Sequence, residues 1–515
     1  MAQELKSINL VAPAFQGINT EDAPLAQDPS FAETADNAVI DKRGRIAARK
    51  GHLVITTNKT QLGSDSLSAI KEFRDDAGNT KIFSVGNNKI LSGTTTLADE
   101  TPGSYTINAD NWKMVNFNDS IYFFQRGFQP LIYNVTASGT SGGANSNVVT
   151  LGSVNSAAGV ASTMYGNEVL AAYGRLWTAD FATDKSTVYW SDLLIGHDWA
   201  GGTSGSINLS KVWPDGHDEV VALAAHNNKL IIFGKRSIVV YEGADAPATM
   251  ALSDTVVGVG CVGRDTIQHT GVDVIFLSHT GLKSFGRTIQ EKSMPLSSLS
   301  GTITTDIIQV LREANEVYKS VYHPEENFYL LTFVNQNITY CFDVRGTLEN
   351  GSYRVTRWPG TSFTCYERQS DGTLLIGSSL GIGQYSGFQD NGGSYGFKYF
   401  SPELSFGEPS KLKFLKKLRP TIVGGGGLNV FLKWDYDFGS SYNAAFITLK
   451  DEAKAEFGLD EYTVGQFSDG VLTSKQAINT NGSGGTLSIG MEADINGEEL
   501  SLQEINVLAL VGKTI

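Results

Sequence analysis

Cysteine is scarce. Cys261, Cys341 and Cys365 are the only three in 515 residues. They are far apart and odd in number, so they form no CxxC pair and no disulfide framework. They read as plain thiols of a chain made in a reducing cytoplasm. Proline is also sparse, at 13, and charged residues make up only 18%. That is little charge for a soluble globular surface, and it suits a chain that hides part of itself against partners. Long apolar runs are missing: none approaches the roughly 18–20 residues that span a bilayer. The opening MAQELKSINLVAPAF has no cationic start followed by a long apolar run, so no signal peptide is expected.

Chemical signatures are missing too. Neither GxSxG nor GxxxxGK followed by Ser or Thr occurs. The seven histidines, His52, His197, His217, His226, His269, His279 and His323, show no HxH, HExxH or HxxxH order. His269 and His279 each sit in an HTG triplet and could be neighbours, but two histidines lack the third ligand of a metal site. GVGCVG at 258–263 fits GxGxxG, yet β-rich sequence follows it where a phosphate site needs a helix N-terminus. Its glycines instead suit a tight backbone crossing between strands. The carboxylate pairs Asp75-Asp76 and Glu325-Glu326 lie at turns and read as solvated charge. No catalytic residue, metal or cofactor is assigned, and the chain is not expected to be an enzyme. The net charge of −14 argues against a general nucleic-acid binder. It does not exclude a passage that DNA traverses, since negative walls keep phosphate from sticking.

What is abundant is glycine, at 56, with frequent Asn, Ser and Thr. These are turn residues, and they recur in one unit. GNNKIL (86–91) returns as HNNKLIIF (226–233), with looser relatives at 117–124, 172–179 and 370–377. Each is a polar turn leading into an apolar strand. Central strands are expected at 89–92, 120–124, 175–179, 229–233, 273–278, 327–333 and 373–377. Their spacings of about 30 to 55 residues lie in the range of propeller blades. The fold expected is all-β: a propeller of about six blades, the first and last candidates combining into one, plus an antiparallel sandwich-like platform and few helices. The divisions are 1–55, an N-terminal arm with a basic turn, joining the platform; 56–396, the propeller; and 397–515, the C-terminal sandwich-like domain. One helix is expected over 306–320, with Ile307, Leu311, Ala314 and Tyr318 on one face. The polar, aromatic-free segment 138–163 reads as a surface loop.

Two basic runs stand out of an acidic chain. DKRGRIAARKG (41–51) carries Lys42, Arg43, Arg45, Arg49 and Lys50; KLKFLKKLRP (411–420) carries Lys411, Lys413, Lys416, Lys417 and Arg419. Either they are solvated strand faces or they form an electrostatic docking surface for an acidic partner. Neither run is interleaved with stacking aromatics, which disfavours single-strand binding.

Three segments carry a resemblance. The first is 17–55, with Gly17, Asn19, Pro24, Asn37, Arg45, Arg49 and Gly51 as anchors. The second is GCVGRDTIQHTGVDVIFLSHTGLKSF (260–285). The third is YFSPELSFGEPSKLKFLKKLRPTI (399–422) with NGEELSLQEINVLAL (496–510). Together they resemble the tail nozzle, or packaged-DNA-stabilising tail accessory protein, of short-tailed podovirus-type phages. The likeness covers most of the chain in outline and rests on glycine-and-turn patterns. It implies a structural virion protein assembled in host cytoplasm, forming a hexameric ring below the portal and adaptor. That ring would continue the DNA channel, contact DNA non-specifically, meet tail fibre or spike proteins, and help retain and release the genome. The basic residues would then dock the adaptor. Two other readings stay open: a distal receptor-binding virion protein, and a propeller that binds or hydrolyses glycans.

Overall fold

The computed structural model describes residues 5–514 apart from 104, 109–111, 134–146, 155–162, 292–297, 314, 409 and 451–472. Most of the expected loop 138–163 lies outside the described residues. Its described part holds the strand Val149–Thr150 and the single helical turn Leu151–Val154.

The fold is all-β with few helices, built around a β-propeller. Asparagine turns set its repeat. Asn87 and Asn88 take φ of 52° and 53°, Asn227 and Asn228 48° and 58°, and Asn118 and Asp119 45° and 58°. Two successive left-handed residues match the right-handed twist of the flanking strands, so each pair closes a tight hairpin. In the second pair His226 lies opposite Lys229, and in the first Gly86 lies opposite Lys89.

Six blades are free-standing sheets. Their inner strands are Ala69–Arg74, Lys113–Phe117, Glu168–Ala172, Val220–His226, Gln268–His269 and Cys365–Arg368. A further four-strand unit, Tyr318–His323 to Arg354–Pro359, fills the gap between the last two and runs on into a nine-stranded sheet. Neighbouring inner strands lie side by side around a circle, with the turn Arg264–Thr266 making the contact between Val220–His226 and the blade of Gln268–His269. Each boundary has its own apolar filling. Phe83 of the first blade meets Phe123 of the second edge-to-face at 5.4 Å, and Phe233 meets Phe276 at 4.9 Å. A single sheet could not cover these rings; burying each contributes about 1.5–3 kcal/mol, which makes radial packing the stable arrangement. At the GVGCVG crossing, a Cβ on Gly260 would stand 2.3 Å from the Lys235 carbonyl carbon.

The first and last candidate strands do not combine. The blade holding Leu374–Ser378 is completed by His52–Val54, with Tyr385 opposite His52 and Gly383 opposite Val54. The ring is therefore latched by a segment from near the chain start, which pairs some 330 residues downstream.

The platform is a two-sheet sandwich made from both chain ends. In the seven-stranded sheet, Leu500–Thr514 pairs with Lys411–Gly424 on one side. On its other side it pairs with Leu5–Val11 and Ile46–Ala48. In the nine-stranded sheet, Thr34–Asp36 and Tyr395–Phe400 connect the propeller unit to Leu487–Ile495, Asn429–Tyr436 and Asn443–Thr448. Leu415, Leu418, Ile505 and Val507 of the first sheet join Phe397, Leu432, Ile489 and Met491 of the second in one core.

The expected helix is shorter than its pattern. It spans Thr304–Leu311, and Tyr318 opens a strand; Ala314 is outside the described residues. Asn315 turns left-handed at φ 62°, and the six-pair ladder of Tyr318–His323 with Phe328–Phe333 overrides the helical spacing.

Candidate docking surface

The first basic run folds as a hairpin turn. The Asp41 carboxylate accepts the backbone N–H groups of Arg43 and Arg45 at 2.8 and 2.9 Å, and the Arg45 Nε at 2.7 Å. Gly44, at φ 78°, completes the turn against the Phe15 ring. Arg45 is thereby buried and consumed, while Lys42 and Arg43 project outward.

Arg49 is not a surface residue. It is 2% exposed and sits over the Tyr395 ring at 4.2 Å. It grips Asp390 through two hydrogen bonds of 2.9 and 2.6 Å and donates to Asn37 at 2.9 Å. Burial pushes the Asp390 carboxyl up, but bonds from His52 and Arg49 outweigh it and hold it well below the usual carboxylate range. Lys50 pairs with Glu326, above the Tyr385 ring.

The second run lies on the strand Lys411–Gly424. Lys411 pairs with Glu408 at 3.0 Å. Lys413 is fully buried and donates to the carbonyls of Glu408 and Gly485; burial lowers its pKa. Lys416, Lys417 and Arg419 are exposed. The sheet places Leu500–Thr514 between the two basic segments, so the projecting cations form two separate patches.

Arg45, Arg49 and Lys413 are therefore corrected from docking candidates to structural residues. Lys50 and Lys411 are ion-paired within the chain. Lys42, Arg43, Lys416, Lys417 and Arg419 remain available to a partner. The Glu325-Glu326 pair is also not simply solvated: Glu325 joins Arg368 at 2.6 Å and His323 at 2.6 Å, bracing two adjacent propeller units.

The propeller axis holds a second polar feature that the sequence did not disclose. Lys113 reaches Glu168 on the next blade at 2.6 Å, and Glu168 accepts the Leu223 N–H of the blade beyond at 3.2 Å. Asp265 joins Lys319 at 2.8 Å and Arg264 at 3.0 Å. Lys71 joins Glu367 at 2.8 Å, linking the first blade to the last. Glu168 is fully buried and Glu367 nearly so; burial raises both carboxyls, opposed by Lys113 and Lys71 respectively. Four cations and four anions, counting Glu72, thus meet around the axis; Glu72 accepts the Ser370 N–H at 2.6 Å. They staple blades together.

Among the described residues no group of three His, Cys, Asp or Glu is placed to hold a metal ion. His269 has His226 as its ring neighbour, centroids 6.4 Å apart. No described helix is long and apolar enough to cross a membrane.

No family model and no curated protein matches this sequence. Solved structures are similar only at low identity and low TM-score. The Pan2 WD40 domain of Neurospora crassa is 8% identical with a TM-score of 0.38, over 66% of this chain and 95% of that one. The extracellular domain of a one component system from B. thetaiotaomicron is 10% identical with a TM-score of 0.39. That match covers 79% of this chain but only 48% of the other, so the chain spans about half its length. The AfRom2 CNH domain is 9% identical with a TM-score of 0.36, over 62% of this chain and 94% of that one.

Proposed function

We propose that this chain is a structural virion protein of the short-tailed phage nozzle type, several copies closing into a ring around a DNA passage. The observation that carries the reading is mechanical. The propeller and the sandwich share one nine-stranded sheet, and the ring of blades is latched by a strand from near the chain start. Such a unit transmits load as a single stiff piece, which suits a wall element under the pressure of packaged DNA.

The axis of each propeller carries paired charges whose carboxylates are largely buried, so the passage lies between copies and not through one subunit. Net charge of −14 per copy keeps the passage wall from holding phosphate. The exposed cations Lys416, Lys417 and Arg419 face an acidic adaptor above the ring. Six is the copy number this reading carries, with fibre or spike proteins attached at the periphery and assembly in the host cytoplasm.

The test is direct. The 515-residue chain is purified and its mass and symmetry are read by native mass spectrometry and electron-microscopic class averages. A closed ring with a central opening supports the reading; a monomer at every concentration sinks it.

A further inference from the structure

Two cavities of opposite character open on the surface. The first, about 310 Å³, lies beneath the basic turn and is lined by Lys42, Arg43, Arg45 and Lys50. The second, about 210 Å³, lies beside the helix Thr304–Leu311 and is lined by Asp306, Glu313, Tyr340 and Arg357 among others.

The local charges around the basic turn are already matched. Asp41 is taken by Arg45 and two backbone N–H groups, and Glu326 by Lys50. Glu499 is the other carboxylate at this cavity. Lys42 and Arg43 stand exposed on a turn whose shape is fixed by Asp41 and Gly44, so holding them outward costs little further ordering.

The acidic cavity is the complement. Its one cation, Arg357, is already spent on Asp36, at 2.8 and 3.1 Å. Asp306 accepts the Thr20 hydroxyl at 3.0 Å and lies within the field of Arg357, whose hydrogen bonds go to Asp36 and not to it. Glu313 is exposed. The Tyr340 ring forms part of the wall, its hydroxyl pushed up to about 12 by burial and by Asp306. Exposed Asp22 and Glu21 lie on the loop that packs against this helix, adding negative potential; Arg312 is the nearby exposed cation.

We infer that the basic turn of one copy inserts Arg43, with Lys42 at the rim, into the Asp306–Glu313 cavity of a second copy of this chain. The guanidinium meets Glu313 and Asp306 over the Tyr340 wall, a pairing of a planar cation with carboxylates beside an aromatic surface. Because knob and cavity occupy different places on one protomer, the contact is head-to-tail. Repeated, it closes a ring when the rotation permits and otherwise runs on as a filament. The inference rests on the oligomer reading above and names the surface that makes it.

The experiment uses the full chain and three variants at exposed positions: Arg43→Glu, Glu313→Lys and the two combined. Circular dichroism and thermal melting verify folding, and sedimentation velocity measures assembly at low and high salt. Each single reversal lowers the association constant by about tenfold or more at low salt, and the combined variant recovers wild-type assembly to within about threefold. Single variants that assemble like wild type overturn the surface assignment and leave the ring reading standing. Single variants that weaken assembly without recovery in the combined variant overturn the pairing of Arg43 with Glu313. A wild-type protein that stays monomeric overturns both this inference and the ring.

Discussion

Arg49 and Asp390 are 341 residues apart in the chain and meet through two hydrogen bonds of 2.9 and 2.6 Å. Arg49 leads into the latch strand His52–Val54, and Asp390 precedes the sandwich strand Tyr395–Phe400. The pair therefore ties the propeller closure to the platform. His52 adds a third bond to Asp390, at 3.2 Å.

Arg49→Met should destabilise the whole fold by about 3–5 kcal/mol, since it strands a partly buried carboxylate. Arg49→Lys should recover little, because an ammonium cannot bridge both carboxylate oxygens while lying flat on the Tyr395 ring. Urea unfolding of the two variants measures both. A cost under about 1 kcal/mol for Arg49→Met would show that the tie is an ordinary surface pair.

The axial pair of Lys113 and Glu168 gives a second test. Lys113→Met leaves the fully buried Glu168 carboxylate without its cation and should cost about 3 kcal/mol or more. The apolar double change Lys113→Met with Glu168→Leu removes both charges and should lose much less than either single change. A double-mutant cycle by thermal unfolding reads the coupling; additive losses would mean the two side chains do not act together.

Acid should weaken the junction between the two adjacent propeller units. The Glu325 carboxyl is held at about 2, chiefly by the Arg368 hydrogen bond, with His323 adding to it. Its unfolded value is about 4.3. A carboxyl depressed in the folded state contributes stability that is fully present above the unfolded value and is lost as pH falls toward the folded one. Stability should therefore drop between about pH 4.5 and about pH 2, and Glu325→Gln should flatten that part of the curve. Asp390, also depressed, acts in the same direction and leaves a residual slope in the variant. A Glu325→Gln curve that superimposes on wild type would show the pair to be inert.

Reversing Lys416, Lys417 and Arg419 to Glu should leave the melting temperature within about 2 °C of wild type, because these side chains are exposed. If the proposed nozzle role holds, attachment to an acidic adaptor weakens strongly, most of all at low salt. Pull-down across a salt series checks it, and unchanged attachment would remove this patch from the docking surface.

The blades were legible in the sequence because their information is local. An Asn-Asn turn sets two backbone angles, and the alternating strands beside it report one buried face. The fates of the cations were not legible for the opposite reason. Arg49 finds Asp390 and Lys413 finds the Gly485 carbonyl only after distant strands pair, so a basic run read along the chain looks uniformly exposed. Arg45 is the exception: Asp41, four residues before it, could have signalled the internal pair. The latch strand was hidden because His52–Val54 is three residues long and pairs at the far end of the chain. The helix was overread because apolar spacing alone cannot register the ladder that claims Tyr318. The axial ion pairs join an inner strand of one blade to a strand or turn of another, and no spacing rule within one blade reveals them.

The central claim is that this stiff propeller–sandwich unit works in several identical copies around a shared opening. Native mass spectrometry of the 515-residue chain, with class averages of the same sample, tests it most directly. A closed ring, sixfold in symmetry, with an opening wide enough for duplex DNA at its centre is the expected result. A particle of 55.4 kDa at all concentrations, with no higher species, contradicts it.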